Sequence, residues 1–263
     1  MAERAAITAI VVSCNEASLL PRVLEGVSFC DELIVVEVGS DGTDSASVAA
    51  RFGARFIRHQ PVRVVEIARF DVIPQAQHDL VLLTDPDEEM TPKLAQRVID
   101  LVKALPDDVA AVEAPIRYHF GGRALRGTVW GGEKRRRLLV RPSAVELTPT
   151  IWGGMRLRDG HRVLALPYSE DEAIVHRWTN GWRDLLAKHR RYLDQEPGDR
   201  AAAGELTGFR EVLRTPWSAF RESFVVKRGY RDGFIGLGLS LFWAWFRTAG
   251  EIRLLRRLRS ERQ

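Results

Sequence analysis

Short apolar, largely β-branched runs alternate with stretches of helical spacing through the first hundred residues. Residues 6–13, 33–38 and 80–83 are predominantly apolar runs, interrupted only by Thr8, Ser13 and Glu37, and 55–58 is a shorter β segment. Between the first two, residues 17–26 place Leu19, Leu20, Val23 and Leu24 on one helical side, with Gly26 as a stop. Residues 43–52 and 92–105 read as further helices, the latter amphipathic. A strand that is apolar at every position is buried on both faces. In a βαβα order this predicts a Rossmann-like α/β fold, a mostly parallel sheet with flanking helices. Ligands of such sheets sit beyond the carboxyl ends of the strands. The residues directly after each strand are therefore the ones to read for chemistry.

Helical spacing fades over residues 107–166, where glycine, arginine and short β runs (109–118, 138–141, 162–166) take over. From Trp182 the pattern is helical again, with breaks expected at Gly198 and Pro216. This predicts a catalytic α/β domain over 1–175 and a helical extension over 176–263. Two stretches, WGGEKRRRLLV and WGGMRLRDGHRV, are locally alike but too few for a repeat architecture.

Composition narrows the class. With 45% hydrophobic and 28% charged residues the chain has a globular, not a disordered, balance. Cys14 and Cys30 cannot build a disulfide framework, so a reduced, cytoplasmic setting is expected. No basic n-region with a long apolar stretch opens the chain, and no apolar run reaches membrane-spanning length. From residue 201 onward there are twelve Lys and Arg against six Asp and Glu, within a chain total of 39 against 35. The basic excess is thus a C-terminal property, fitting an anionic surface or a solvated helix face.

Four strand-end sites carry candidate chemistry. Thr84-Asp85-Pro86-Asp87-Glu88 follows a buried strand. Carboxylates at i and i+2 on extended backbone point the same way and suit Mg²⁺ or Mn²⁺ on a diphosphate. The plainer reading is an acidic cap for the helix near Thr91. Ser13-Cys14-Asn15-Glu16 closes the first run, where polar groups can receive a nucleoside and Asn15 can cap the next helix. Glu37, with Gly39-Ser40-Asp41-Gly42, can bind a ribose or base edge, or form an ordinary turn. Arg69 can clamp phosphate or be a solvated helix charge. Cys14 reads as a small buried hydrophobe, and Trp130 and Trp152 as sugar-stacking or space-filling groups. The histidines show no metal-ligand spacing, and His176 reads as a packing residue.

In this order, SCNE, VEVGSDGT, Arg69 and LTDPDE resemble the family 2 glycosyltransferases of the GT-A fold. HRWTNGWRDLLAKHRRY and KRGYRDGFIGLGLSLFWAWF are similar to a narrower branch, the lipopolysaccharide core glucosyltransferase-like proteins. The resemblance implies an inverting transfer from a nucleotide diphosphate sugar to a hydroxyl of a glycolipid or polysaccharide. It implies that Ser13, Asn15, Glu16 and Glu37 face the nucleoside, Arg69 and Asp85 the nucleotide, and Asp85 and Asp87 the metal. Three departures stand out. Glu37 replaces the usual Asp, the segment after Ser40 is one residue short, and Gly153-Gly154 occupies the place of a His-Glu pair that offers a base. The acidic tract Glu170, Asp171 and Glu172 is a local insertion that could supply the base instead, or be a solvated turn.

Two other functions compete. A sugar nucleotidyltransferase needs a glycine-rich basic loop after the first strand, and SCNEASLLPR has none. A non-catalytic membrane-surface or nucleotide-binding protein on the same fold fits the missing His-Glu pair and the basic tail. The stretch 234–246 is too short to span a bilayer but is followed by arginines and contains Trp243, Trp245 and Phe246. It predicts peripheral contact with the inner face of a membrane, or a packed or homo-oligomeric helix pair. No nucleic-acid partner is expected.

Overall fold

The first apolar run becomes β1 (Ile7–Ser13), with all seven residues buried. The computed structural model describes residues 5–39, 44–62, 65–147 and 154–260. After β1 come α1 (Leu20–Gly26), β2 (Glu32–Val38), α2 (Ser45–Arg51), β3 (Arg55–His59), α3 (Val65–Val72), β4 (Leu80–Thr84), β5 (Glu88–Met90) and α4 (Pro92–Leu101). Then follow β6 (Val109–Phe120), β7 (Arg123–Ala124), β8 (Lys134–Val140), β9 (Val145–Leu147), β10 (Met155–Leu157), β11 (Arg162–Ala165) and β12 (Ile174–Thr179). The chain ends in α5 (Trp182–Ala202), α6 (Phe209–Arg221) and α7 (Gly233–Ser260). These residues fall into two compact units, one of residues up to 116 with 133–176, the other of 117–132 with 177 onward.

In the first unit the strand order is β3-β2-β1-β4-β8-β6-β12-β5. The first four strands are parallel, while β8 runs antiparallel to both β4 and β6, and β12 antiparallel to β5. Alternate residues of the parallel strands face opposite helices. Ile10, Val12, Ile34 and Val36 pack with Ala68 and Val72 of α3. Val11 and Val35 pack with Leu20, Val23 and Leu24 of α1 and with Val48 and Ala49 of α2. Apolar cover on both sides is why these strands lack the polar alternation of a one-faced sheet. Each such side chain contributes roughly 1.5–3 kcal/mol by leaving water.

Some boundaries differ from the sequence pattern. Helix α1 starts at Leu20 instead of 17, because Pro21 falls in its first turn, where a missing N–H costs nothing. Strand β8 begins four residues before its apolar part, at Lys134, because Arg136 and Arg137 carry pairing on β6 while their side chains serve the site described below.

The second unit is helical and aromatic. Trp130 stacks on Trp178 with ring centroids 4.6 Å apart and meets Phe242 and Trp243 edge-on or tilted. Trp130 is therefore a packing residue here, while Trp152 lies outside the described residues. Neither expected helix break occurs. Pro216 lies inside α6 and Pro197-Gly198 inside α5. Packing against α7 decides both. Ala219 of α6 is buried, and a Cβ on Gly198 would lie 3.2 Å from the Arg257 guanidinium, so glycine serves a close approach there.

His189, on α5, is buried among the rings of Trp130, Trp178, Tyr192, Phe242 and Phe246. Its Nδ1–H donates to the Leu185 carbonyl at 2.9 Å. Burial pushes the imidazole down to about 4 from an ordinary 6.5. A folded-state value below the unfolded one favours the neutral ring. That stability is fully present above pH 6.5 and is lost as pH falls from there toward 4, on the order of 3 kcal/mol in all. Thermal melts from neutral pH to about pH 5 should show a fall in midpoint that His189→Gln flattens. Equal pH slopes in the two proteins would remove His189 as the cause.

Candidate functional site

The parallel register sets three strand ends side by side. Ser13 lies opposite Glu37, and Val11 opposite Thr84. Because β4 ends at Thr84, Asp85 and Asp87 enter the tight connection to β5. Thr91, not an acid, caps α4 by accepting the Leu94 N–H at 3.3 Å. The acidic residues are thus left for other work.

Glu37 is 1% exposed. One of its carboxylate oxygens accepts the Asn15 N–H at 2.7 Å and the other the Ser45 hydroxyl at 2.8 Å. Both bonds offset the cost of burying the charge. Glu37 therefore braces the turn after β1 against the start of α2 and does not present an open carboxylate. Asn15 adopts φ 61, a left-handed conformation that asparagine tolerates. It does not cap α1, whose cap position is Leu19 with no side-chain bond. Asn15 and Cys14 are exposed and Glu16 is half-buried. Cys14 is not in the core because the chain leaves the sheet after Ser13. The Ser13 hydroxyl is buried with no hydrogen-bond partner among the described residues. Ser40, Asp41 and Gly42 lie outside the described residues.

At the end of β4 two arginines converge on the acidic turn. Arg69, from α3, donates to Asp85. Arg136, from β8, donates to Glu88 and to the Leu83 carbonyl at 2.9 Å, and its guanidinium stands 3.5 Å from Asp85. Glu88 is buried and also accepts the Asp85 N–H at 3.2 Å. Burial pushes the Asp85 carboxyl up, but Arg69, then Arg136 and His176, outweigh it and hold it below the ordinary carboxylate value. Asp85 thus sits ionised between two guanidiniums, neither of which can lose its proton.

Asp87 has a different partner. Strand β12 pairs antiparallel with β5, placing His176 opposite Glu88. The His176 Nε2 then lies 3.1 Å from an Asp87 carboxylate oxygen, 89 residues away in sequence. By its sequence neighbourhood alone, His176 reads as a packing residue. No local spacing signals its role, since only the β5–β12 pairing brings it to the turn.

The residues at this turn fit a divalent cation. Two neighbouring ligands on an octahedral ion at about 2.1 Å stand roughly 3 Å apart. The observed 3.1 Å between imidazole nitrogen and carboxylate oxygen matches that spacing. An O/N pair suits Mn²⁺ and, with more water, Mg²⁺. Among the described residues no three acidic, His or Cys groups converge as a ready cage. Two protein donors leave positions for diphosphate oxygens and water, the usual arrangement for ions that accompany phosphates. Asp85, the other carboxylate expected to hold the metal, is paired here with Arg69 and lies 3.5 Å from the Arg136 guanidinium.

The acidic tract is elsewhere. Thr91 donates to the Asp171 carbonyl at 2.7 Å, and Lys93 to the Asp171 carboxylate at 2.7 Å. The Asp171 side chain is 70% exposed. Glu170 is exposed too, Glu172 half-buried, and the Ser169 hydroxyl accepts the N–H groups of both Asp171 and Glu172 in a turn. Thr91, which anchors the tract, stands just past β5, four residues after Asp87 in the chain. The structure does not bring Glu170, Asp171 and Glu172 to the Asp87–His176 pair. The tract is a solvated turn that anchors the start of α4. Of the Gly153-Gly154 pair, Gly153 lies outside the described residues.

A parallel half-sheet whose β4 ends in a carboxylate turn, met there by Arg69 of α3, Arg136 of β8 and His176 of β12, defines an α/β domain with its polar groups gathered beyond a strand's carboxyl end. The chain belongs to glycosyl transferase family 2, whose family model matches residues 8–159. Among solved structures it is similar to the mannosyltransferase PcManGT from Pyrobaculum calidifontis in complex with GDP-Man and Mn²⁺. That likeness has a TM-score of 0.56 at 17% identity, over 96% of this chain and 88% of that one, and it is a likeness of fold. A glucosyl-3-phosphoglycerate synthase from Mycobacterium tuberculosis, in complex with Mn²⁺, uridine-diphosphate and glucosyl-3-phosphoglycerate, matches at 21% identity with a TM-score of 0.35. The match covers 44% of each chain, so this chain spans less than half the length of that protein.

Proposed function

We propose that this protein is a metal-dependent, inverting glycosyltransferase that moves a sugar from a nucleotide diphosphate donor to a hydroxyl of a glycolipid or polysaccharide. It would work at the inner face of a membrane. The observation that carries the reading is the Asp87–His176 pair, 3.1 Å apart at the end of β4, next to Arg69 and Arg136. The domain over 1–175 would hold the donor, and the helical region over 176–263 would serve the membrane side.

In this reading the turn after β1, braced by Glu37, receives the nucleoside, with Ser13, Asn15 and Glu16 as its polar lining. Arg69 and Arg136 set a positive field where the donor diphosphate lies. Asp85 fixes both guanidiniums in place. Asp87 and His176 would hold Mg²⁺ or Mn²⁺, which supplies neutralisation of charge growing on the departing diphosphate. The acceptor oxygen attacks the anomeric carbon as the bond to the diphosphate oxygen breaks, and the hydroxyl proton passes to a carboxylate base. The direct test is thermal stabilisation and donor turnover across UDP-, GDP- and dTDP-sugars with and without Mn²⁺. No stabilisation and no turnover with any donor would return the chain to a binding role.

The position of the acidic tract yields a separate expectation. Glu170→Gln, Asp171→Asn and Glu172→Gln should each keep turnover within a few-fold of the parent. A lost general base costs about 100-fold or more. A fall of that size at one position, with the melting midpoint unchanged, would place the base in the tract after all.

A further inference from the structure

The second unit carries an apolar surface that its own fold leaves uncovered. On α6, Phe209, Leu213 and Trp217 are 67%, 64% and 70% exposed. A helix turns by about 100° per residue, which lays these three side chains within an arc of about 80°. Arg210, Arg214 and Arg221, all exposed, occupy the adjoining arc of about 40°. The buried side of the same helix region, with Ala219 and then Ser223, faces the other way. The apolar stripe continues past α6. Phe220 stacks on Phe224 at 5.3 Å, and Phe224 meets Tyr230 at 6.3 Å. On α7 the series Phe234, Leu237, Leu241 and Trp245 is exposed on one side, while Leu239, Phe246 and Leu254 are buried on the other.

We infer that this face docks on an anionic phospholipid bilayer, with α6 lying in the headgroup plane. The inference deepens the membrane-side part of the proposed function by naming the element and its lipid. Three observations select this occupant. The apolar residues are mainly aromatic and bulky aliphatic, the set that enters the boundary between headgroups and acyl chains. The bordering charges are exposed cations, Arg210, Arg214, Arg221, Lys227, Arg228 and Arg231, which complement lipid phosphates. Arg210 and Arg214, one turn apart, border an open surface hollow together with Glu211 and Leu213, which sets two cations beside the apolar stripe. A second copy packed by a two-fold axis would set those cations against themselves, which argues against a dimer through the same patch. Among the described residues no helix is long and apolar enough to cross a membrane, so the contact is along the surface.

The test is co-sedimentation of the full chain with vesicles of phosphatidylcholine alone and with phosphatidylglycerol at about one lipid in three. Binding should need the anionic lipid and weaken at high salt. Phe209→Ser, Leu213→Ser and Trp217→Ser together should lower partition at least tenfold, and so should Arg210→Glu, Arg214→Glu and Arg221→Glu together. All six positions are exposed, so melting midpoint and donor hydrolysis should stay at parental values. Equal partition of parent and variants, or no binding to anionic vesicles, would overturn the inference. So would a parent that elutes as a dimer and a serine variant that elutes as a monomer, both binding vesicles alike. Donor hydrolysis is read in the same samples, so glycosyl transfer and membrane docking can fail independently.

Discussion

Asp87→Ala and His176→Ala are each expected to abolish transfer, by about a thousandfold or more, while the protein stays folded. The magnitude follows from charge. Cation stabilisation of a departing diphosphate is worth several kcal/mol, and each ~1.4 kcal/mol is a factor of ten in rate. Neither residue belongs to a hydrophobic cluster. Their mutual hydrogen bond is worth on the order of 1 kcal/mol, and neither side chain fills the core, so the folded state should survive each substitution. Direct Mn²⁺ titration gives a readout apart from activity. Both variants should bind the ion far more weakly than the parent, and Asp87→Glu should recover part of the binding. Asp85→Asn is the informative contrast. It leaves the Asp–His pair intact but releases Arg69 and Arg136 from their shared carboxylate. Its loss should appear mainly as weaker donor affinity, with Mn²⁺ binding largely kept. Full activity in excess chelator, or in Asp87→Ala, would sink the metal reading outright.

The parallel half of the fold is legible because its determinants are local. Buried β-branched runs, Pro21 at a helix start and the polar residues after each strand are all visible within a few positions. That locality located Asp85 and Asp87 correctly at a strand end. It does not show their different partners, because the guanidiniums beside Asp85 come from α3 and β8. Arg136 was hidden for the same reason, since its run of basic residues looks like a solvated patch until β8 pairs with β4 and carries it to Glu88. His176 shows this most clearly. Its partner is set by antiparallel pairing of two short strands, a register that no spacing in the sequence encodes. Glu37 is the opposite case. The strand-end position is right, but two short hydrogen bonds turn it inward as a brace. Pro216 and Gly198 are ordinary helix-break signals overridden by packing on α7. In sequence the acidic tract stands out beside the absent His-Glu pair, whereas the fold ties its Asp171 to Lys93 and Thr91.

Gly236→Ala is expected to prevent the second unit from reaching its native packing. A Cβ built on Gly236 would lie 1.8 Å from the Gly229 carbonyl oxygen, well inside any real contact. Neither group can step aside cheaply. Gly229 is itself enclosed, since its own Cβ would stand 2.8 Å from the Ser223 carbonyl and 3.0 Å from the Ser240 hydroxyl. Ser240 in turn donates to the Gly236 carbonyl at 2.7 Å. Just upstream, the Arg228 carbonyl would lie 2.1 Å from a Cβ on Gly127. The buried Asp232 locks that approach by accepting the N–H groups of Arg126 and Gly127, both at 2.8 Å. The sequence KRGYRDGFIGLG is therefore a seam in which two backbone segments and the start of α7 touch without side chains between them. Overpacking in an ordinary core costs about 1–3 kcal/mol because side chains re-pack. A clash against backbone on both sides exceeds that range, so a loss above about 4 kcal/mol is expected. Gly233→Ala is the control. Nothing lies within 4 Å of its Cβ, but its φ 61 and ψ −135 are a backbone conformation close to glycine-only, so it should cost about 1–3 kcal/mol of backbone strain with no clash added. Near-ultraviolet dichroism, to which the stacked Trp130–Trp178 pair contributes, reports the packing. A Gly236→Ala protein with parental near-ultraviolet signal and a melting midpoint equal to that of Gly233→Ala would show that the seam can open.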